Sequence, residues 1–175
     1  MEFLQKGQGD TLVEWFLEPT CPFSSKAFGK LDSLLDRSDG ALTVRLWLHS
    51  QPWHLNSPLV TRCIIAAWAE HGAEAAWDTL GAVFAHRESY AFTDHAGGPN
   101  RAATPNDIIE RIESHSRLSL AVAFDWPELA DTVKAHTKYA RQNGIHSSPS
   151  VLVNGFLRED IESGDSVDDW LTRIV

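Results

Sequence analysis

The sequence of 175 residues has little positive charge and no long apolar run. Its 15 Lys and Arg residues are outnumbered by 24 Asp and Glu residues, the formal net charge is -9, and no basic run could follow a phosphate backbone. No segment approaches the ~18 consecutive apolar residues that a membrane-spanning helix needs. We therefore expect a protein that binds neither nucleic acid nor a membrane.

Cysteine is also scarce, since the chain contains only Cys21 and Cys63. The first ten residues, MEFLQKGQGD, lack the basic and apolar regions of a secretory signal, so we expect a cytoplasmic protein if Met1 is the native start. In that reducing compartment we do not expect a structural disulfide between the two cysteines.

Local patterns at the start of the chain predict a strand, a helix and a second strand. Residues 11–18, TLVEWFLE, have the composition of a buried strand. Residues 22–35 carry apolar side chains on one helical face, and residues 41–49 alternate with the two-residue period of a strand. Together they predict a right-handed βαβ unit with parallel strands.

The remaining chain predicts a helical block and then a return to strands. Residues 57–143 carry apolar stripes at helical spacing, whereas residues 143–159 predict two short strands around an Asn-Gly turn, with a helix after them. The predicted fold class is α/β. Its discontinuous core, 1–56 and 144–175, would enclose an inserted helical subdomain over 57–143.

The motif Cys21-Pro22-Phe23-Ser24 stands where the first strand gives way to the first helix. A helix N-terminus carries free N–H groups and partial positive charge, which can lower a cysteine pKa from about 8.5 by one to several units. The Ser24 hydroxyl could donate a hydrogen bond to that thiolate, but it cannot form a disulfide with it. The predicted site therefore has one thiol, and a mixed disulfide would need an outside thiol to resolve it.

A second motif, Ser147-Ser148-Pro149-Ser150, directly precedes the strand of the second half. Proline is tolerated only at the start or edge of a strand because it lacks a backbone donor. A cis Ser148–Pro149 bond, which would bring this loop beside another site, is one reason to find it there.

Taken together, the Cys21-Pro22-Phe23-Ser24 motif, the helical insertion and the segment GIHSSPSVLVNG (144–155) resemble the DsbA-like branch of the thioredoxin superfamily. The resemblance implies a thioredoxin-like fold with a helical insertion between the βαβ and ββα halves. It also implies that Cys21 attacks disulfides, that Pro149 is the cis-proline, and that the Ser148 backbone, with Pro22 and Phe23 nearby, binds an extended substrate. Here Ser24 replaces the second cysteine of the family, and Phe23 replaces a frequent histidine.

Three further features have alternative interpretations. Glu14 could be the buried acid that related enzymes use for proton transfer, or an exposed or partly exposed strand residue. Cys63 lies on an apolar helical stripe, which favours core packing over a role as a remote resolving thiol. The Gly- and Pro-rich segment 88–105 could cover the Cys21 groove or be a surface loop without a role. The eight histidines lack metal-ligand spacing, so we expect no metal site.

These features favour thiol–disulfide exchange, of the isomerase or glutathione-coupled reductase type, over two alternatives. Its partners would be disulfide-containing or glutathionylated proteins, or a small thiol, with glutathione as the outside thiol and no bound cofactor. The first alternative is a glutathione-dependent small-molecule enzyme, similar to kappa-type transferases and chromene-carboxylate isomerases, although those use serine where Cys21 stands. The second is a peptide-binding module without catalysis. The sequence indicates no particular oligomeric state.

Overall fold

The computed structural model describes residues 4–94 and 96–174. Its strands are β1 (Leu4–Gly7), β2 (Thr11–Leu17), β3 (Leu42–Leu48), β4 (Ser150–Val153) and β5 (Phe156–Leu157). Its α-helices are α1 (Pro22–Phe28), α2 (Leu31–Arg37), α3 (Ser57–Ala85), α4 (Pro105–Ser116), α5 (Ala121–Phe124), α6 (Leu129–Gln142) and α7 (Val167–Ile174). Among the helices of the described residues, none is both long enough and apolar enough to cross a membrane.

The five strands form one sheet in the order β1-β3-β2-β4-β5. Strands β2 and β3 pair in parallel, from Thr11 opposite Leu42 to Leu17 opposite Leu48, which confirms the predicted βαβ unit. Strands β1, β4 and β5 join it through antiparallel pairings. The sequence did not predict β1, because only Leu4 of its four residues is buried and no alternation is visible.

The helix predicted over 22–35 is wrong as a single element, since α1 ends at Phe28 and α2 begins at Leu31. Gly29, a residue of low helix propensity, caps α1, and its N–H binds the Ser25 carbonyl. The next residue, Lys30, donates from Nζ to the Ser163 carbonyl at 2.8 Å and lies 4.1 Å from the centre of a Trp170 ring. These contacts fix the chain at the break.

Helices α3 to α6 lie between β3 and β4, so the predicted α/β fold with a helical insertion is confirmed. Gly72 interrupts α3 with φ 89°, a backbone conformation that glycine adopts readily. Thr104 and Asp107 form the capping box that starts α4.

The buried strand β2 contributes to both faces of the sheet. Trp15 packs on one face against Trp170 of α7, with ring centres 4.7 Å apart. Phe16 packs on the opposite face, stacked with Trp47 of β3 and Tyr139 of α6. Because both faces are covered, β2 is held firmly and delivers residues 18–21 to a fixed place at its C-terminal end.

Candidate active site

Cys21 is the N-cap residue of α1, with extended backbone angles (φ -79°, ψ 128°) and Pro22 directly after it. Its N–H donates to the Glu18 carbonyl at 3.1 Å, and its carbonyl accepts from the Ser25 N–H at 3.0 Å. The residue is only 5% exposed. The sequence placed this thiol correctly at a strand-to-helix corner.

The two predicted motifs meet in the structure. The Sγ atom of Cys21 lies 3.6 Å from the carbonyl oxygen of Ser148, which is 127 residues away in the chain. The Ser148–Pro149 peptide bond is cis, as the sequence led us to expect. The sole thiol of the corner therefore faces the backbone of the proline loop.

A cavity of about 530 Å³ lies along the proline loop, with Ser148 in its lining, and we call it the Pro149 groove. Phe23, Ser148, Pro149 and Leu157 are among its lining residues. Phe23 is 62% exposed, and Leu157 on the edge strand β5 is 44% exposed. The groove thus combines apolar side chains with the backbone of the proline loop.

Ser24 is fully buried, and its Oγ accepts a hydrogen bond from the Glu18 N–H at 3.0 Å. This bond uses an oxygen lone pair and leaves the hydroxyl proton available to another acceptor. Ser24 therefore holds the end of β2 to the first turn of α1. The predicted hydrogen bond from Ser24 to a Cys21 thiolate remains a prediction.

The sequence reasoning missed Glu18, whose carboxylate is completely buried in the turn before Cys21. It accepts hydrogen bonds from the Thr20 N–H at 3.0 Å and from the Thr20 hydroxyl at 2.9 Å, and it lies 3.5 Å from Nδ1 of His54. Burial raises the pKa of Glu18, although the groups around it favour the charged form. The sequence signal that could have identified this site is the position of Glu18, an acidic residue two positions before Thr20, whose N–H can bind a carboxylate.

Glu14 is buried at 2% exposure, so the interpretation as an exposed or partly exposed residue is wrong. Its carboxylate accepts from Nε1 of Trp47 at 2.9 Å and from the Tyr139 hydroxyl at 3.2 Å, and it lies 3.6 Å from the Arg45 guanidinium. Burial, and then the nearby Glu14, raises the pKa of Tyr139. The role of Glu14 in proton transfer remains a prediction.

Cys63 lies in α3 with no exposed surface, and burial raises the pKa of its thiol to about 12. This environment supports the core-packing interpretation, because only a thiolate attacks a disulfide. Both cysteines are free.

A second cavity of about 280 Å³ lies beside the Cys21 corner, and we call it the Arg87 pocket. Thr20 and Pro22, the two neighbours of Cys21, line it together with Arg87. Tyr90 and Phe92 of the loop 88–105 also line it, so this part of the loop lies beside the corner. Within the described residues, no three His, Cys, Asp or Glu side chains cluster as metal ligands would.

Comparison with solved structures finds clear similarity. A proposed protein-disulfide isomerase from Pseudomonas syringae is 54% identical to this chain, with a TM-score of 0.97 over 99% of this chain and 98% of that chain. BdbD from Bacillus subtilis, in its oxidised form, is 16% identical with a TM-score of 0.73 over 98% and 90% of the two chains. The thiol-disulfide exchange protein alpha-DsbA2 from Wolbachia pipientis is 15% identical with a TM-score of 0.69 over 98% and 85%.

The first similarity extends to sequence and structure together, whereas the other two show the fold alone. No protein-family model matches the chain, and no curated protein matches its sequence.

Proposed function

Because the chain belongs to the DsbA-like branch of the thioredoxin superfamily, we propose that it is a thiol–disulfide oxidoreductase or isomerase in which Cys21 is the only nucleophile. One observation carries the proposal: the Cys21 sulfur lies 3.6 Å from the carbonyl oxygen of Ser148, a residue that lines a groove which an extended peptide could occupy. A sulfur in that place would meet a disulfide that the Ser148 backbone holds.

The proposed reaction begins with attack of the Cys21 thiolate on one sulfur of a substrate disulfide. A bond forms between the two sulfurs, the substrate disulfide breaks, and the second substrate sulfur leaves as a thiolate that takes up a proton. The mixed disulfide is then attacked either by another cysteine of the substrate, which gives isomerisation, or by an outside thiol such as glutathione, which gives reduction. Ser24 cannot supply this second thiol.

Two buried groups have supporting roles in the proposal. The Ser24 hydroxyl, held by the Glu18 N–H, donates its proton toward the Cys21 thiolate. The Glu14 carboxylate, held by Trp47 and Tyr139, is the proposed site of proton transfer. Cys21 would remain the nucleophile even if Ser24 or Glu14 did not have its proposed role.

The proposed partners are proteins with disulfides or glutathionylated cysteines, in a reducing, cytoplasmic compartment. There an outside thiol is abundant, so an enzyme with one active thiol can turn over without a second cysteine. Phe23 and Leu157 supply exposed apolar contacts for such a polypeptide in the Pro149 groove.

The test is repair of a protein with scrambled disulfides and reduction of insulin, each with and without glutathione. We expect activity from the natural protein and from Cys63→Ala, and none above background from Cys21→Ala. Peptide binding without turnover would contradict the proposal and favour a binding module. Conjugation of glutathione to electrophiles, without disulfide exchange, would favour a small-molecule enzyme instead.

A further inference from the structure

The Arg87 pocket lies against the turn that carries the nucleophile. Arg87 donates from Nη1 to the Thr20 carbonyl at 3.4 Å, and Thr20 immediately precedes Cys21. His54, which also lines the pocket, contacts the buried Glu18 carboxylate of the same turn. A molecule in this pocket would therefore lie beside the Cys21 corner, in a cavity that shares no lining residue with the Pro149 groove.

The rim of the pocket carries one positive and one negative side chain. Arg87 is half-buried, and Asp94 is exposed. Among the described residues neither has an oppositely charged side chain within 4.0 Å. A guanidinium can bind a carboxylate through two parallel hydrogen bonds, and a carboxylate can bind an ammonium group. This pair therefore complements a zwitterion of the amino-acid type.

The remaining wall is apolar and its base is well fixed. Trp53 and Leu55 are 48% and 56% exposed, although both are large apolar side chains. Below them Tyr90 is fully buried, its carbonyl accepts from Nδ2 of Asn56 at 2.9 Å, and its hydroxyl bonds to His115. The pocket is thus a small cavity whose base is held by hydrogen bonds, and it could hold the uncharged part of a short peptide.

We infer that the Arg87 pocket binds the resolving thiol, a small zwitterionic thiol of the glutathione type, with Arg87 on its carboxylate and Asp94 on its amino group. This inference rests on the proposed function, because a site with one thiol needs an outside thiol. The observations that carry it are the position of the pocket beside Cys21 and the two opposite charges on its rim.

The chemistry balances with two molecules of the thiol. The first, as a thiolate, attacks Sγ of Cys21 in the mixed disulfide, and the polypeptide leaves as a thiolate that takes up a proton. The thiol is then joined to Cys21 by a disulfide. A second molecule attacks the sulfur of the first, which forms the small-molecule disulfide and returns the Cys21 thiolate. Two small thiols are oxidised for each substrate disulfide reduced.

The first experiment measures both steps on the natural protein. A peptide disulfide is used to form the Cys21 mixed disulfide, which is isolated, and peptide release is then timed with glutathione, glutathione diethyl ester and 2-mercaptoethanol. We expect glutathione to release the peptide about 10-fold faster than the ester after correction for thiol acidity, since charge-assisted hydrogen bonds contribute about that factor or more.

The second experiment uses three arginine variants. Arg87→Gln should lower the ratio of the glutathione rate to the 2-mercaptoethanol rate by about 10-fold, and Arg87→Lys should lower it less because the charge remains. Arg101→Gln is the matched control, because Arg101 is exposed, lies in the same insertion and does not line the pocket. It should keep the natural ratio.

The outcomes separate the inference from the proposed function. If no mixed disulfide forms on Cys21, both are overturned. If it forms and all thiols release the peptide at rates set by acidity alone, only the pocket inference is overturned. If Arg87→Gln slows formation of the mixed disulfide and leaves the thiol ratio unchanged, the pocket holds substrate polypeptide and the inference is likewise overturned.

Discussion

Cys21 and Cys63 are both free and both almost inaccessible to solvent, at 5% and 0% exposure, yet their surroundings differ. Cys63 lies within α3 among apolar side chains, and burial, with Glu113 as a second cause, raises the pKa of its thiol to about 12. Cys21 starts a helix, and its sulfur faces the Ser148 carbonyl at the edge of a groove. One cysteine is part of the core, and the other lies at a strand-to-helix corner beside the proline loop.

The difference shows that burial does not by itself decide the role of a cysteine. The residues around Cys21 line two cavities: Ser148, whose carbonyl faces the sulfur, lines the Pro149 groove, and Thr20 and Pro22 line the Arg87 pocket. Cys63, in contrast, has no exposed surface and packs within the apolar core.

Exchanging each cysteine for alanine should give opposite results. Cys21→Ala should lower the rate of disulfide exchange by about 1,000-fold or more, because it removes the nucleophile. Cys63→Ala should retain the rate and lower the free energy of unfolding by roughly 1 to 2 kcal/mol, because it leaves a small cavity in the core. Rates from peptide reduction and unfolding curves in urea provide the two measurements. Loss of exchange activity in a folded Cys63→Ala protein would break the contrast.

The pH dependence of stability should report the burial of Cys63. The pKa of Cys63 is raised on folding, so its contribution to stability is complete below the unfolded value of about 8.5 and declines as the pH rises toward about 12. Between about pH 8.5 and about pH 10.5 the free energy of unfolding should fall by about 2 kcal/mol more in the natural protein than in Cys63→Ala. Urea unfolding at several pH values measures this difference. If the free energy of unfolding changed with pH equally in the natural protein and in Cys63→Ala, the pKa of Cys63 would not be raised by folding.

Restoring a second thiol should convert the corner to a dithiol site. Ser24→Cys should form an internal disulfide with Cys21 under mild oxidant, because residue 24 lies one helical turn after the nucleophile in the position of the family's second cysteine. Counting free thiols before and after oxidation measures the change, and oxidation of a reduced peptide tests for the new activity. Ser25→Cys, on the same helix, is the control and should keep its free thiols. An unchanged thiol count in Ser24→Cys would contradict the predicted geometry.

Substitution of the two buried glutamates, Glu18 and Glu14, should have smaller effects, and the two substitutions should differ in how far they move the pH midpoint of Cys21 alkylation. Glu18→Gln removes a carboxylate from the Cys21 turn, and a neighbouring negative charge disfavours a thiolate. The pH midpoint of Cys21 alkylation should therefore fall by some tenths of a unit to about one unit. Glu14→Gln, whose carboxylate is bound by Trp47 and Tyr139, should change this midpoint less and the rate of proton-dependent steps more. Equal shifts in both variants would contradict the assignment of Glu18 to the turn.

Local patterns were sufficient for much of this fold. The alternating residues of β3 and the apolar run of β2 predicted their parallel pairing, and Pro22 marked the helix start that holds Cys21. Pro149 at the start of β4 indicated the loop that meets the sulfur. Proline and strand periodicity act over a few residues, so they are visible in the sequence alone.

Features that depend on distant partners were not visible in the same way. The break between α1 and α2 is accompanied by Lys30 reaching the Ser163 carbonyl, and the burial of Glu18 depends on His54. The Arg87 pocket brings Thr20 and Pro22 together with the loop after α3. These contacts depend on how the helical insertion packs against the sheet, which no local sequence pattern specifies.

The rate of Cys21 alkylation as a function of pH reports whether the corner holds an activated thiolate. Iodoacetamide labels the folded protein at a series of pH values, and peptide mass analysis assigns the label to Cys21 or Cys63. If the corner presents an activated thiolate, labelling of Cys21 will reach half its maximal rate well below pH ~8.5, and Cys63 will remain unlabelled until the protein unfolds. A midpoint at or above about 8.5 for Cys21 would contradict the claim that this chain works through a single activated sulfur.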